Sequence, residues 1–451
     1  MSTSLAASDS SHVRLGLRTR VTCPHCWETF PPENSLWVSQ HPNLLDDPRL
    51  GSTQQSRFLP SRFDVEGNAL DSEGFACHEL ACPKCHLTVP RVLLEMSPLF
   101  FSIVGTPGCG KSYYLASLTW QLRRELPKSF ALSLTDADPT FNRILNHYEE
   151  LQFYNPDRDK VVKLAKTEEQ GDLYDAVRFG DQVVNYPRPF MFAVRPLPNH
   201  PSAGEIKKVS RALCLYDNAG ESFEPGKDTL ANPVTRHLAR AQAIMFLYDP
   251  TQDPRFREAC RGKTDDPQMS KLAITSRQET ALHEMAARVR RHAGLHQNAR
   301  HQRPLIVIVT KYDAWSRLIP DLQLDSPIVN AGERNWSALD VPKIQAVSRR
   351  VRQLLFEITP ELVASAEGFA EHVTFIPVSA TGRSPEIDAA TGQMGIRPRD
   401  VHPVWVEVPM LWTLSQWCPG LVAYRKATAT KSPEVNGKSF PPSSAFNPPS
   451  S

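Results

Sequence analysis

The chain has 451 residues, of which 41% are apolar, so it is long enough to form two or three domains with a sizeable core. Its formal net charge of +2 is too close to neutral to favour a nucleic-acid or anionic-membrane surface on charge alone. No apolar run reaches the roughly 18 residues of a membrane helix, and Met1 to Arg20 lacks the apolar core of a signal peptide. We therefore expect a cytoplasmic protein without membrane contact.

The composition along the chain predicts four segments. Residues 1–20 are Ser-rich and polar and are expected to be disordered. Residues 21–95 hold five of the nine cysteines and predict a small metal-binding module, with an insert over about residues 35–75. Residues 96–425 alternate apolar runs with amphipathic stretches, as α/β domains do. Residues 426–451 are Pro- and Ser-rich and predict a disordered tail.

Two C-x-x-C pairs, Cys23 with Cys26 and Cys82 with Cys85, predict a zinc ribbon. Four thiolates close a tetrahedral Zn²⁺ site, and the two-residue spacing lets each pair chelate from one turn. A closed site of this kind is structural. The symmetric spacing favours the paired cysteines over four other possible ligands, namely Cys77, His25, His78 and His86.

The role of this module stays open between a platform, a docking surface for proteins, and a nucleic-acid contact. Arg14, Arg18 and Arg20 precede the module and Arg91 follows it. No sustained basic stripe interleaved with aromatic residues is present, so we favour the structural or protein-docking role.

Continuous apolar runs in residues 98–425 predict strands that are buried on both faces of a mostly parallel sheet. The expected fold is therefore a three-layer α/β fold. The predicted strands are Pro98–Gly105, Phe190–Pro196, Ala212–Asp217, Ala243–Asp249, Pro304–Thr310 and Val373–Ser379, and the predicted helices are Lys111–Leu126, Arg277–Ala293 and Pro342–Ile358.

The stretch from Gly105 to Ser112 matches the phosphate-loop pattern G-x-x-x-x-G-K-[ST] between a predicted strand and a predicted helix. Glycines at Gly105, Gly108 and Gly110 let the backbone N–H groups surround a phosphate at the helix N-terminus. Lys111 is expected to contact the β- and γ-phosphates, and the Ser112 hydroxyl to ligate Mg²⁺.

A second motif, Asp217-Asn218-Ala219-Gly220, follows another predicted strand. A strand-ending carboxylate at Asp217 suits Mg²⁺, and the Gly220 N–H suits a γ-phosphate. Such a contact would couple the loop that follows to the state of the nucleotide.

The last two motifs predict a guanine site. In Thr310-Lys311-Tyr312-Asp313, the Asp313 carboxylate is placed to accept from guanine N1–H and N2–H₂, a donor pair that adenine lacks. The stem of Lys311 can lie over the base. Ser379-Ala380 follows a later strand and would bring a backbone N–H to guanine O6.

These ordered motifs resemble the P-loop GTPases of the translation-factor and Ras-like class, over roughly residues 98–385. The resemblance implies GTP and Mg²⁺ as cofactors, and it assigns roles to Lys111, Ser112, Asp217, Gly220, Lys311 and Asp313. The zinc-ribbon-like front and the long inserts also resemble the bacterial double-GTPase group, whose members work in multi-gene signalling or conflict systems.

Departures from the family pattern leave the activity open. The switch threonine must lie before the strand at Phe190, and Thr167 is the candidate by elimination, although it could equally be an ordinary polar residue. Glu221 stands where a water-orienting glutamine is common. Three alternatives follow: a hydrolysing GTP switch whose inserts and ribbon bind protein partners, a nucleotide-dependent scaffold that hardly hydrolyses, and an ATPase.

Overall fold

The computed structural model describes residues 16–164, 174–218, 236–270, 276–331, 336–388 and 392–426. The candidate residues Thr167, Gly220 and Glu221 lie outside these ranges, as do most of the two terminal segments.

A seven-stranded sheet forms the centre of the protein. Its strands in chain order are β1 Ser97–Gly105, β2 Leu132–Asp136, β3 Phe190–Pro196, β4 Arg211–Asp217, β5 Ala243–Tyr248, β6 Leu305–Val309 and β7 Val373–Pro377. Their order across the sheet is β2-β3-β4-β1-β5-β6-β7. The strands β4, β1, β5, β6 and β7 are parallel, and β3 runs antiparallel to both of its neighbours. The predicted α/β fold with a mostly parallel sheet is therefore confirmed.

Parallel strands covered on both faces contain almost only apolar residues, and β5 and β6 illustrate this rule. Every residue of Ala243–Tyr248 and of Leu305–Val309 is buried. Their side chains belong to one core that the helices share. In β4 the alternation divides the side chains: Leu213 and Leu215 join this core, whereas Cys214 and Tyr216 face a second core on the other side of the sheet.

Among the residues that the structure describes, six helices of ten or more residues surround the sheet. They are α1 Lys111–Phe130, α2 Pro139–Phe153, α3 Gln278–Ala293, α4 Val341–Ile358, α5 Pro360–Phe369 and α6 Val408–Trp417. Three of them begin within a residue of the predicted positions. The predicted end of α1 at Leu126 was wrong, because Pro127 lies inside the last turn and the helix continues to Phe130. It ends at Ala131, whose left-handed backbone lets its N–H donate to Leu126 O.

The second core lies where the cysteine module packs on β1, β3 and β4. It joins cysteine-module residues such as Trp27 and Leu93 to Phe100, Met191 and Tyr216 of the sheet. The module therefore covers one face of the sheet beside β4. Its short strands are Val21–Thr22, Thr29–Phe30, Leu36–Val38, Leu45–Asp47, Gly51–Gln55, Arg57–Phe58, Ala69–Leu70, Ala76–Cys77 and Leu80–Ala81.

Smaller elements occupy the long connections. The hairpin Tyr174–Phe179 with Gln182–Pro187 lies between α2 and β3. The remaining strands are Ile328–Asn330, Ser337–Asp340, Glu386–Ile387, Met394–Gly395 and Tyr424–Arg425, and the short helices are Val92–Glu95, Ile206–Val209, Pro254–Ala259 and Tyr312–Trp315. Within the described part of the chain, no helix combines the length and the apolar composition that a membrane crossing requires.

Candidate functional site

The loop from Gly105 to Ser112 connects β1 to α1 and is shaped by its glycines. A Cβ on Gly105 would lie 2.9 Å from Leu247 O and 2.7 Å from Cys109 Sγ, so only glycine fits between β1 and β5. Gly108 and Gly110 have φ angles of 75° and 95°, in the left-handed region that disfavours other residues. This backbone turns the loop around the N-terminus of a 20-residue helix, where N–H groups and the helix dipole favour an anion.

Lys111 and Gln252 hold the interior of this loop. The Lys111 Nζ donates to Gly105 O at 2.9 Å and to Thr106 O at 3.2 Å, so its ammonium group is enclosed by the loop. The Gln252 side chain accepts from Thr106 Oγ1 at 3.0 Å and donates to Pro107 O at 2.9 Å. Gln252 follows β5 and was missed by the sequence analysis, because no local pattern marks its contact with the loop.

Ser112, in the first turn of α1, and Asp217, at the end of β4, offer oxygen ligands of the kind that Mg²⁺ prefers. Asp217 ends β4 and is 4% exposed, and Asn218 fastens this strand end to β1 by donating from Nδ2 to Ile103 O at 2.9 Å. Tyr148 of α2, which sequence reasoning missed, forms a side-chain hydrogen bond with Ser112. Burial, with the charge of Asp217, raises the pKa of the Tyr148 phenol, so it stays protonated beside these oxygens.

Lys311, the second residue of the motif after β6, has a left-handed backbone, with φ of 54°. Its Nζ donates to Asp249 Oδ2 at 2.6 Å and to Thr251 Oγ1 at 3.1 Å. Both partners follow β5, so the ion pair stretches the lysine stem between the ends of two adjacent strands. Thr310 supports this arrangement by donating from its backbone N–H and its hydroxyl to Tyr248 O.

Asp313 and Ser379 meet side by side. The Ser379 hydroxyl donates to Asp313 Oδ1 and accepts from the Gly382 N–H at 2.7 Å. Burial raises the pKa of the Asp313 carboxyl, and the hydrogen bond from Ser379 opposes that rise. Next to them, Ala380 O accepts from Ser117 Oγ of α1 at 2.7 Å, which ties this loop to the helix that follows the phosphate loop.

A cleft of about 270 Å³ joins these groups at one edge of the sheet. The predicted residues on its lining are Gly108, Gly110, Lys111, Ser112, Thr310, Lys311, Asp313, Ser379 and Ala380. Gly105 and Asp217 lie at the strand ends beside it. The lining also includes two cations that the sequence analysis missed, Lys163 and Arg383. Beside them, Val162 and Ile396 exchange two backbone hydrogen bonds, which fix residues 161–164 over the cleft.

The four predicted cysteines form a compact cluster. Their Sγ atoms all lie within 4.8 Å of one another. The Sγ–Sγ distance is 3.7 Å between Cys23 and Cys85 and 3.6 Å between Cys26 and Cys82. A disulfide needs about 2.05 Å, whereas a tetrahedron with Zn–S bonds of about 2.3 Å has edges of about 3.8 Å. The cluster therefore fits a zinc ion.

The alternative ligands are engaged elsewhere. His25 Nε2 contacts Thr88 O at 3.1 Å, and His86 Nδ1 pairs with Asp47 at 2.8 Å. Burial raises the pKa values of the Cys23 and Cys85 thiols, so four thiolates in this interior need a bound cation. When bound, Zn²⁺ would supply the charge that keeps all four thiolates together and would hold the two loops as one unit.

No family model matches this chain. The putative ESX-1 scaffolding and assembly protein SaeC of Mycolicibacterium smegmatis is 28% identical over 178 residues, which is 39% of this chain and 40% of SaeC. The match thus takes in less than half of either protein.

Two solved structures of similar architecture are Sup35 complexed with GDP and Era in complex with MgGDPNP and nucleotides of 16S ribosomal RNA. Sup35 is 12% identical with a TM-score of 0.23, over 63% of this chain and 38% of that one. Era is 13% identical with a TM-score of 0.22, over 63% of this chain and 52% of that one. The fold assignment therefore rests on the sheet order of this chain itself.

Metal analysis of the purified protein is expected to find about one Zn²⁺ per chain, since the four thiols match one tetrahedral site. The double variant Cys82→Ser, Cys85→Ser should lose it, because half of the ligands are removed. The matched control is Cys77→Ser, a buried cysteine of the same module whose Sγ donates to Phe75 O. Full zinc content in the double variant, or loss of zinc in the control, would contradict the assignment.

Proposed function

We propose that this protein binds GTP with Mg²⁺ and hydrolyses it as a molecular switch. The observation that carries the proposal is the convergence of a phosphate-type loop, an acid at the end of β4 and a half-buried carboxylate after β6 on one edge of the sheet. Ligands of parallel α/β sheets bind at this edge, outside the carboxyl ends of the strands.

Asp313 supports guanine as the base. Its carboxylate is half-buried on the cleft lining and held by Ser379, so an aromatic edge with two adjacent N–H donors is its natural partner. Guanine has this pair at N1 and N2. Adenine presents an acceptor at N1, which an ionised carboxylate repels. Lys311, held extended by Asp249, would cover one face of the base with its aliphatic stem.

For the phosphates, we propose that Lys111 leaves the loop carbonyls to contact the β- and γ-phosphates, and that Ser112 and Asp217 hold Mg²⁺. We further propose that Thr167 and Gly220 contact the γ-phosphate and so sense whether it is present. A glutamate at Glu221 would orient water less well than glutamine and would add negative charge, so slow intrinsic hydrolysis or dependence on a partner is expected.

We propose that the protein acts in the cytoplasm, within a multi-protein bacterial signalling or conflict system. The partial similarity to a protein named for ESX-1 scaffolding and assembly supports a role alongside protein partners. The inserts and the cysteine module are the surfaces proposed for docking, in preference to nucleic acid. A nucleotide-dependent scaffold with little turnover is the second candidate, and the name of the same relative favours it.

The Asp313→Ala variant should bind GTP about 100-fold more weakly, since two hydrogen bonds to a half-buried charge contribute about 3 kcal/mol. Ser379→Ala should cost about tenfold or less, because the carboxylate remains. Equilibrium binding of fluorescent GTP and ATP analogues measures both. Equal affinity of the wild type for the two nucleotides would refute the guanine site and favour an ATPase.

Acid should weaken GTP binding at a higher pH than the usual aspartate range near ~3.9. Only ionised Asp313 accepts from guanine, and burial raises its pKa, so the carboxylate gains its proton earlier as the pH falls. Ser379→Ala should move the midpoint further up, because the hydroxyl that favours the ionised form is gone. A pH series of nucleotide affinity checks both directions; a midpoint that falls in Ser379→Ala contradicts this account.

Multi-turnover phosphate release separates the two candidate functions. A switch should release phosphate from GTP steadily, and Lys111→Ala should abolish this turnover because the γ-phosphate loses its main cation. The control is Lys84→Ala, which removes a surface lysine paired with Glu28 in the cysteine module. Tight GTP binding without turnover in the wild-type protein would favour the scaffold.

A further inference from the structure

Trp27 connects the cysteine cluster to the end of β4. It follows Cys26 directly, and its side chain is 3% exposed between the module and the sheet. Its indole Nε1 donates to the Tyr216 hydroxyl at 3.0 Å, and that hydroxyl donates to Pro24 O at 2.5 Å. Tyr216 is the residue before Asp217. The turn from Cys23 to Cys26 and the proposed Mg²⁺ ligand are therefore linked by two hydrogen bonds and one peptide unit.

The same indole also contacts the turn that precedes β5. The ring of His237 stacks on Trp27 with centroids 5.7 Å apart, and it lies 4.5 Å from the ring of Tyr216. Arg240 donates from Nη1 to Trp27 O at 2.9 Å. Both His237 and Arg240 belong to the turn Arg236–Arg240 that leads into β5.

The backbone at Trp27 is unusual for so large a residue. Its φ of 57° is left-handed, as is the φ of 63° at His86, which occupies the equivalent position after Cys85. A left-handed conformation costs a residue other than glycine about 1–3 kcal/mol. Glycine would satisfy both turns without strain, so the turn itself does not require an indole at this position.

We propose that Trp27 is a positioning residue, through which the cysteine cluster sets the place of Asp217 and of the turn at His237. This inference rests on the proposed function only where it names Mg²⁺ as the ligand of Asp217. The cysteine cluster fixes the turn from Cys23 to Cys26, and this turn places the Trp27 indole. The indole in turn contacts both Tyr216 and His237. The module is thus a support for the phosphate end of the cleft in addition to any docking role.

Removal of the indole weakens the contacts of two specific groups. The Tyr216 hydroxyl loses its donor in a site where Tyr216 and His237 are both fully buried. Arg240 keeps only a backbone acceptor whose position is no longer packed. The end of β4 and the turn at His237 should then open more often, whereas the four thiols keep their ligand geometry.

The test compares Trp27→Gly with His86→Gly in the full chain. Both variants relieve a left-handed residue after a C-x-x-C pair, but the hydrogen bonds of His86 join it to Asp47 and Arg57 of the module. Zinc content, hydrogen exchange of peptides covering residues 211–218 and 236–242, and the Mg²⁺ concentration for half-maximal binding of a fluorescent GTP analogue are measured for each.

Trp27→Gly should keep about one Zn²⁺ per chain, and its exchange in both peptides should be about tenfold faster, as expected for the loss of a buried hydrogen bond and its packing. The half-maximal Mg²⁺ concentration should rise by about the same factor. His86→Gly should stay within about twofold of the wild type in both measurements. Wild-type behaviour of Trp27→Gly, or equal changes in the two variants, would overturn the proposal.

A second pair of measurements covers the case in which Trp27→Gly loses zinc. Trp27→Phe keeps the ring packing but removes the N–H donated to Tyr216, and it should speed exchange in residues 211–218 without loss of metal. Chelation of zinc from the wild type should speed exchange in the same two peptides, and unchanged exchange in either experiment rejects the link. The exchange experiments use no nucleotide, so they decide the positioning role even if the wild type fails to bind GTP.

Discussion

Hydrogen bonding of β1 to a parallel strand on each side is the constraint on which the rest of the structure depends. Because β4, β1 and β5 run in one direction, their carboxyl ends reach the same edge of the sheet. The loop after β1 therefore leaves between Asp217 and the residues that follow Tyr248. Leu247 presses so closely on Gly105 that the chain has room to turn only without a side chain.

The strands and helices with strong patterns were predicted well, and those without them were not. Runs such as Leu305–Val309 are apolar throughout, so burial on both faces could be inferred from composition. The edge strand Leu132–Asp136 alternates with Ser133 and Thr135 and pairs only with β3, which gives no such signal. Pro127 lacks the N–H that continues a helix, yet α1 runs on to Phe130, because Leu126 and Phe130 are buried and pack the last turn against the core.

The candidate site likewise contains residues that the sequence predicted and residues that it did not. Lys111, Asp313 and the paired cysteines belong to short local patterns, so their types and spacing were sufficient to predict them. Gln252 contacts a loop 146 residues earlier, and Tyr148 reaches Ser112 from a neighbouring helix. Contacts of this kind follow from how elements pack, and a single sequence carries no local trace of them. The docking of the cysteine module on β4 belongs to the same class.

The contact between α1 and the Ala380 loop constrains the shape of the ligand. Ser117 of α1 holds Ala380 O, six residues after Lys111 on the same helix. The phosphate loop and the Ala380 loop are therefore both attached to α1, a helix with a rise of about 1.5 Å per residue. The helix consequently fixes the distance between Asp313 and the anion-binding loop. A compound must match this distance in length, as well as the charges at both ends, to occupy the whole cleft.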